Sequence, residues 1–194
     1  IPIRPRGKLP TIEWKDFQSR RPSARGLVFW AAKPGLNAGI VTGPISGIVV
    51  IDTDDAPSEA WLAAQDLPAT PSVRTAKGRH RYFRYPTDGA KIGNKTRIGG
   101  HAIDVRGSGG YVVAPGSVHE SGHVYTWETS PDDCAFAELP EWLRALVEND
   151  DPPPPAPPAP QPLSSSFAAI QAYAEAALDR ELSALRRAGE GQRN

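Results

Sequence analysis

The sequence predicts an α+β fold of mixed β-sheets flanked by helices, and three observations carry that prediction. Short runs rich in β-branched and aromatic residues recur between residues 26 and 127. Only three helical segments accompany them, and one helix between the third and fourth strands is followed by a strand-rich run, which is not regular β-α alternation. In chain order, TIEWKDFQ (11–18) is expected as a helix, then GLVFW (26–30), AGIVT (38–42) and GIVVIDT (47–53) as strands. PSEAWLAAQD (57–66) follows as the second helix. Strands are then expected at 72–76, 80–85, 102–106, 110–114 and 123–127, and a last helix at 138–148. RGSGGY at 106–111 has no helix after it, so a dinucleotide-binding fingerprint is excluded. Its glycines also read as a hairpin turn between strands 102–106 and 110–114.

The chain has 194 residues, 39% of them apolar, enough for one packed domain and an appendage. Composition changes at DPPPPAPPAPQP (151–162), where successive prolines favour an extended polyproline II spacer. The expected organisation is therefore a folded domain over 1–150, a Pro-rich linker over 151–163 and an amphipathic helix over 164–194. In that last segment Phe167, Ile170, Ala174, Leu178, Leu182 and Leu185 fall at helical spacing, and the helix reads as the start of a further helical module. The 22 basic and 22 acidic residues cancel, so any nucleic-acid surface must come from local charge segregation. The single cysteine, Cys134, excludes an internal disulfide and a multi-cysteine zinc site. No apolar run approaches membrane-spanning length and no signal-peptide core opens the chain, so a cytoplasmic protein with no membrane partner is expected. The absence of methionine, including at position 1, points to a processed end or to an excised piece of a longer protein.

The strongest chemical signal is GIVVIDTDD (47–55), a run buried on both faces that ends in acids. Strand alternation sends Asp52 and Asp54 to one face and Thr53 to the other. Such a pair repels itself without a cation, and hard ions such as Mg²⁺ or Mn²⁺ want oxygen ligands, two ions sharing carboxylates and substrate phosphates. Capping of the helix near Ser58 by Asp54 or Asp55 would explain one acid but not Asp52, which sits inside an apolar strand. Asp104, between Ile103 and Val105, is the third candidate ligand if its strand lies beside the first; the alternative is an ion pair with Arg106 on the same strand face.

Between these acids, TPSVRTAKGRHRYFRYP (70–86) gathers Arg74, Lys77, Arg79, His80, Arg81 and Arg84 with three aromatics. Cations interleaved with aromatics suit phosphates and stacked bases, and His80 could donate to a phosphate oxygen. An ordinary antiparallel strand with a polar face is the competing reading. Lys91, Lys95 and Arg97 add charge on an expected flexible loop. His101, His119 and His123 lack the companions of a transition-metal site, and no G-x-S-x-G elbow supports a serine hydrolase. Trp14, Trp30, Trp61 and Trp142 read as core residues and Trp127 as a surface one.

Taken in order, NAGIVTGPISGIVVIDTD, GRHRYF and AIDVRGSGGYVVAPGS resemble the bifunctional primase-polymerase (prim-pol) domain of the archaeo-eukaryotic primase superfamily over roughly residues 8–145, in the form found in phage and plasmid replication proteins. The resemblance implies a DNA primase/polymerase, a nucleotidyltransferase working from NTPs or dNTPs on a single-stranded DNA template and primer with two Mg²⁺ or Mn²⁺ ions. It implies Asp52, Asp54 and Asp104 as metal ligands and His80 as a nucleotide contact within the catalytic set. Lys77, His80 and Arg106 would then bind the triphosphate, and Arg79, Arg81, Lys95 and Arg97 the nucleic-acid backbone. Gly78 stands where the second motif often has serine, so backbone N–H or Lys77 must replace that hydroxyl. The zinc-binding stem of some relatives cannot be built from one cysteine. The proline linker and helical tail resemble the lead-in to a C-terminal helicase. Two rivals use the same residues differently: a two-metal nuclease, and a non-catalytic single-stranded-DNA-binding module.

Overall fold

The computed structural model describes residues 1–148. The expected linker and tail helix lie outside them. Among the described residues eight strands form two antiparallel sheets. Strands β1 (Pro2–Ile3), β2 (Asn37–Val41) and β7 (Tyr111–Val113) make a three-stranded sheet in the order β1-β2-β7. Strands β3 (Ile48–Thr53), β4 (Ser72–Arg74), β5 (Arg79–Arg84), β6 (Ile103–Arg106) and β8 (Thr126–Thr129) make a five-stranded one in the order β6-β3-β5-β4-β8. The helices are α1 (Ala24–Ala31), α2 (Ala56–Ala63) and α3 (Glu141–Val147).

The apolar run of β3 explains the layering. Val49, Val50 and Ile51 are fully buried, so both faces of the strand are covered. Val49 and Ile51 join Phe83, Ile103 and Val105 against Leu62 of α2 and Leu143 and Val147 of α3. Ile48 and Val50 face the other way and pack with Val73, Tyr82 and Tyr125 on Val112 and Val113 of the small sheet. Each Val or Ile so buried contributes about 1.5–3 kcal/mol, which makes β3 the axis of both cores. α2 starts where β3 ends: the Asp55 carboxylate accepts the Ser58 N–H at 2.7 Å and Pro57 occupies the first turn. The cap is thus Asp55, which leaves Asp54 free of that duty.

Several expectations are corrected. GLVFW is not a strand but part of α1, because Ser23 caps a helix by accepting the Gly26 N–H at 3.1 Å; a short apolar run does not by itself separate strand from helix. The helix expected at 11–18 is only a 3₁₀ turn, Lys15–Gln18, with no side-chain cap at Trp14. The strand expected at 123–127 begins three residues later, at Thr126. The glycines after β6 do not turn a hairpin, since β6 and β7 belong to different sheets. They carry the chain across: the Gly107 carbonyl accepts from Thr42 Oγ1 at 2.6 Å, and a Cβ at residue 107 would lie 2.2 Å from the Ile92 carbonyl oxygen. Ile92 and Ile98 are buried, so segment 91–101 is anchored at both places rather than being a free loop. Trp61 and Trp142 pack on the helical core, but Trp30 lies edge-on to Phe17 and Trp14 belongs to neither core cluster.

Candidate active site

Register places the acids. Asp52 pairs with Asp104 on one side and His80 on the other, and direct cross-strand partners project to one face. The result is a row, Asp104–Asp52–His80, across β6, β3 and β5 on the face that meets the small sheet. Beyond the covered part of that face Asp52 and His80 open into a cleft of about 270 Å³, which Arg106 rather than Asp104 lines on the β6 side. Asp54 is exposed at the strand end, beside a smaller cavity shared by Asp52, His80, Lys77 and His119.

Electrostatics in this row are unbalanced. Burial, with the Asp54 charge second, pushes the Asp52 carboxyl from its ordinary 3.8 up to about 7, although Arg106 and Lys8 pull the other way. His80 is buried and its pKa is driven down to about 3, first by burial and then by Lys8 and Arg106, so at neutral pH it is an uncharged imidazole. Its Nε2 lies 3.4 Å from Asp52 Oδ1, and its Nδ1 has no partner among the described residues. Burial first, and then Asp52 and Asp54, raise the Tyr125 phenol to about 12, which keeps it a hydrogen-bond donor.

Asp104 is held differently. Its Oδ2 accepts from Arg106 at 2.7 Å and its Oδ1 from the Arg97 backbone N–H at 3.2 Å. The alternative ion pair is therefore formed, and both oxygens are engaged. Among the described residues no three His, Cys, Asp or Glu side chains converge as a ready-made metal-holding group. The donor chemistry still suits a hard divalent ion: Asp52 and Asp54 are mutually repelling carboxylates, one of them with a strongly raised pKa.

The basic candidates separate by face. Lys77 is exposed at the mouth of the smaller cavity, on the turn before β5. Arg79 and Arg81 point to the opposite face of the sheet, where Arg81 makes two 2.8 Å hydrogen bonds to Glu59 and Arg79 bridges Glu59 and Glu128. Burial alone would raise the Glu59 pKa, but hydrogen bonds from Arg81, Thr53 and Arg79 bring it down to about 2. Those two arginines tie α2 to the sheet. Lys95 is engaged elsewhere in the fold: its Nζ donates to the Leu146 and Glu148 carbonyls at 3.3 and 2.7 Å, closing the end of α3. Arg97 has a left-handed backbone (φ 56°) and an exposed side chain, and what it contributes to the row is its backbone N–H. Gly78 has a steric reason, since a Cβ there would lie 2.0 Å from the Thr53 carbonyl oxygen.

Sequence reasoning missed Lys8, Trp14, Asn94, Tyr111 and Tyr125, all of which line the cleft. Lys8 and Trp14 precede the first motif and lie in irregular chain, where no periodicity marks them.

A family model described as bifunctional DNA primase/polymerase, N-terminal, matches residues 1–142. No curated protein matches the chain. With that match covering most of the chain and Asp52, His80 and Asp104 of three ordered motifs on one row of a two-sheet α+β domain, the chain belongs to the Prim-Pol family, whose role at family level is DNA priming and polymerisation in replication.

Proposed function

We propose that the domain carries out template-directed nucleotidyl transfer: the 3′-oxygen of a primer bonds to the α-phosphorus of a nucleoside triphosphate, and the bond to the β-phosphate breaks to release pyrophosphate. The observation that carries this reading is the Asp104–Asp52–His80 row, whose Asp52 and His80 line the cleft, with Asp52 held up to about 7 by burial beside Asp54. Asp52 and Asp54, and Asp104 after release from Arg106, would hold two Mg²⁺ or Mn²⁺ ions. When bound, such ions lower the pKa of a coordinated hydroxyl and offset charge around the reacting phosphorus.

The chain's own residues define the rest. His80 is neutral and meets a phosphate oxygen through a hydrogen bond rather than through charge. Lys77 and Arg106 supply the positive charge for the triphosphate, and Tyr125 is a further donor at the junction of the two cavities. The setting we propose is replication of phage, plasmid or prophage DNA on a single-stranded template, with a helicase C-terminal to this chain.

The test is to incubate the protein with a primed single-stranded template, Mg²⁺ or Mn²⁺, and either dNTPs or NTPs. Primer elongation that requires added triphosphates supports the reading. Shortening of the DNA without triphosphates would make the same acids a nuclease site. Metal-indifferent DNA binding with neither reaction would leave a binding module.

A further inference from the structure

Phosphate chemistry accounts for one end of the cleft; the other end is aromatic. We infer that Trp14 and Lys8, both from the segment preceding β2, are nucleotide-recognition residues, Trp14 stacking on the nucleobase and Lys8 meeting the phosphate chain. This rests on the nucleotidyl-transfer reading above.

Two cavities share Lys8, Asp52, His80 and Tyr125 in their walls. From that junction the smaller runs to Asp54 and Lys77, and the larger, of about 270 Å³, holds Arg106 in its wall together with the aromatic pair Trp14 and Tyr111. A nucleotide whose phosphates lie among the acids and cations therefore directs its base into the larger arm. There the Trp14 and Tyr111 rings sit 4.8 Å apart at 73°, an edge-to-face pair that forms a corner of two aromatic surfaces.

The pair is fixed in place. Tyr111 is on β7, and its hydroxyl donates to the Lys8 carbonyl at 3.0 Å, tying the N-terminal segment to the small sheet. The Lys8 side chain is exposed, and its charge acts on both Asp52 and His80. Trp14 is half-buried, lies outside both core clusters and lines the cleft, so packing alone does not explain it. Stacking on an indole accepts any base, which suits an enzyme whose choice of nucleotide must come from a template.

The experiment measures equilibrium binding of dGTP and of inorganic tripolyphosphate to the full chain with Ca²⁺ and no template. Trp14→Ala is expected to weaken dGTP binding about tenfold, the size of one stacked base, while tripolyphosphate binding stays at the wild-type value. Trp14→Phe should retain most of the dGTP affinity, and Lys8→Ala should weaken both ligands. Tripolyphosphate binding doubles as the folding control, and Trp14→Leu repeats the test with apolar bulk kept and the π-face removed. Unchanged dGTP affinity in Trp14→Ala overturns the stacking role while leaving the phosphate end intact. Equal loss of both ligands in the Ala and Leu variants overturns it as well, by marking Trp14 as structural. Wild-type protein that binds neither ligand overturns this inference and the proposed function together.

Discussion

Replacing Asp52 with asparagine should stabilise the metal-free protein at pH 8. The group's pKa is about 7 in the folded chain and returns to its ordinary 3.8 on unfolding. Between those values the folded state binds more protons than the unfolded one, so stability falls as pH rises from about 4 to 7. Each pH unit is worth about 1.4 kcal/mol, and ionising Asp52 therefore costs the fold at most on the order of 4 kcal/mol by pH 8. Asparagine keeps the shape and never ionises. Allowing for relaxation around the site, a gain of about 1–3 kcal/mol is expected, which for a domain of this size raises Tm by several degrees, at roughly 2–4 °C per kcal/mol. Near pH 4 the gain should vanish, because wild-type Asp52 is then protonated in the folded state and carries no penalty. Melting curves from pH 4 to 8, with and without Mn²⁺, check both limbs. Mn²⁺ should raise the wild-type Tm at pH 8 and move the variant much less. A variant no more stable than wild type at pH 8 would refute the reasoning, since Asp52 would then not be an uncompensated buried charge.

Three further outcomes follow from the site's surroundings. Glu59→Gln should cost about 1–3 kcal/mol by removing the charged partner of Arg79 and Arg81. Because the folded Glu59 pKa is about 2 against an ordinary 4.5, that contribution is fully present above pH 4.5 and lost as pH falls through 2, which acid titration of the two proteins would show. Arg81→Ala should lower Tm while leaving the salt dependence of DNA binding unchanged, whereas Lys77→Ala should raise KM for the triphosphate with little change in Tm. Arg106→Ala should tighten Mn²⁺ binding by freeing Asp104, and in an Asp104→Asn background that gain should disappear; a gain that persists there would be a simple charge effect.

The parts of this molecule legible from sequence were those governed by local periodicity. The doubly buried run of β3, its acidic end and the alternation that puts Asp52 and Asp54 on one face all follow from the two-residue period of a strand. The register that aligns Asp104, Asp52 and His80 was anticipated only as a condition, because strand neighbours are a tertiary fact. The arginines show the limit most clearly. Arg79 and Arg81 carry the right charge in the right motif, yet strand parity gives them the far face, where Glu59 of α2 meets them. Lys95 is a helix-end ligand for the same kind of reason, its partners lying more than 50 residues away. GLVFW misled because an apolar run of five has no period of its own, and a single cap at Ser23 settles it as helix. Lys8 left no signal and Trp14 read only as a core aromatic: their place in the cleft comes from a segment tied down by Tyr111, a contact across 103 residues.

The central claim is that Asp52 and Asp54 hold the cations that support nucleotidyl transfer. The most direct measurement is primer extension by the Asp52→Ala/Asp54→Ala double variant, with circular dichroism confirming that it is folded. The account predicts no nucleotide incorporation with Mg²⁺ or Mn²⁺ at any triphosphate concentration. Extension at the wild-type rate by the folded double variant would contradict it.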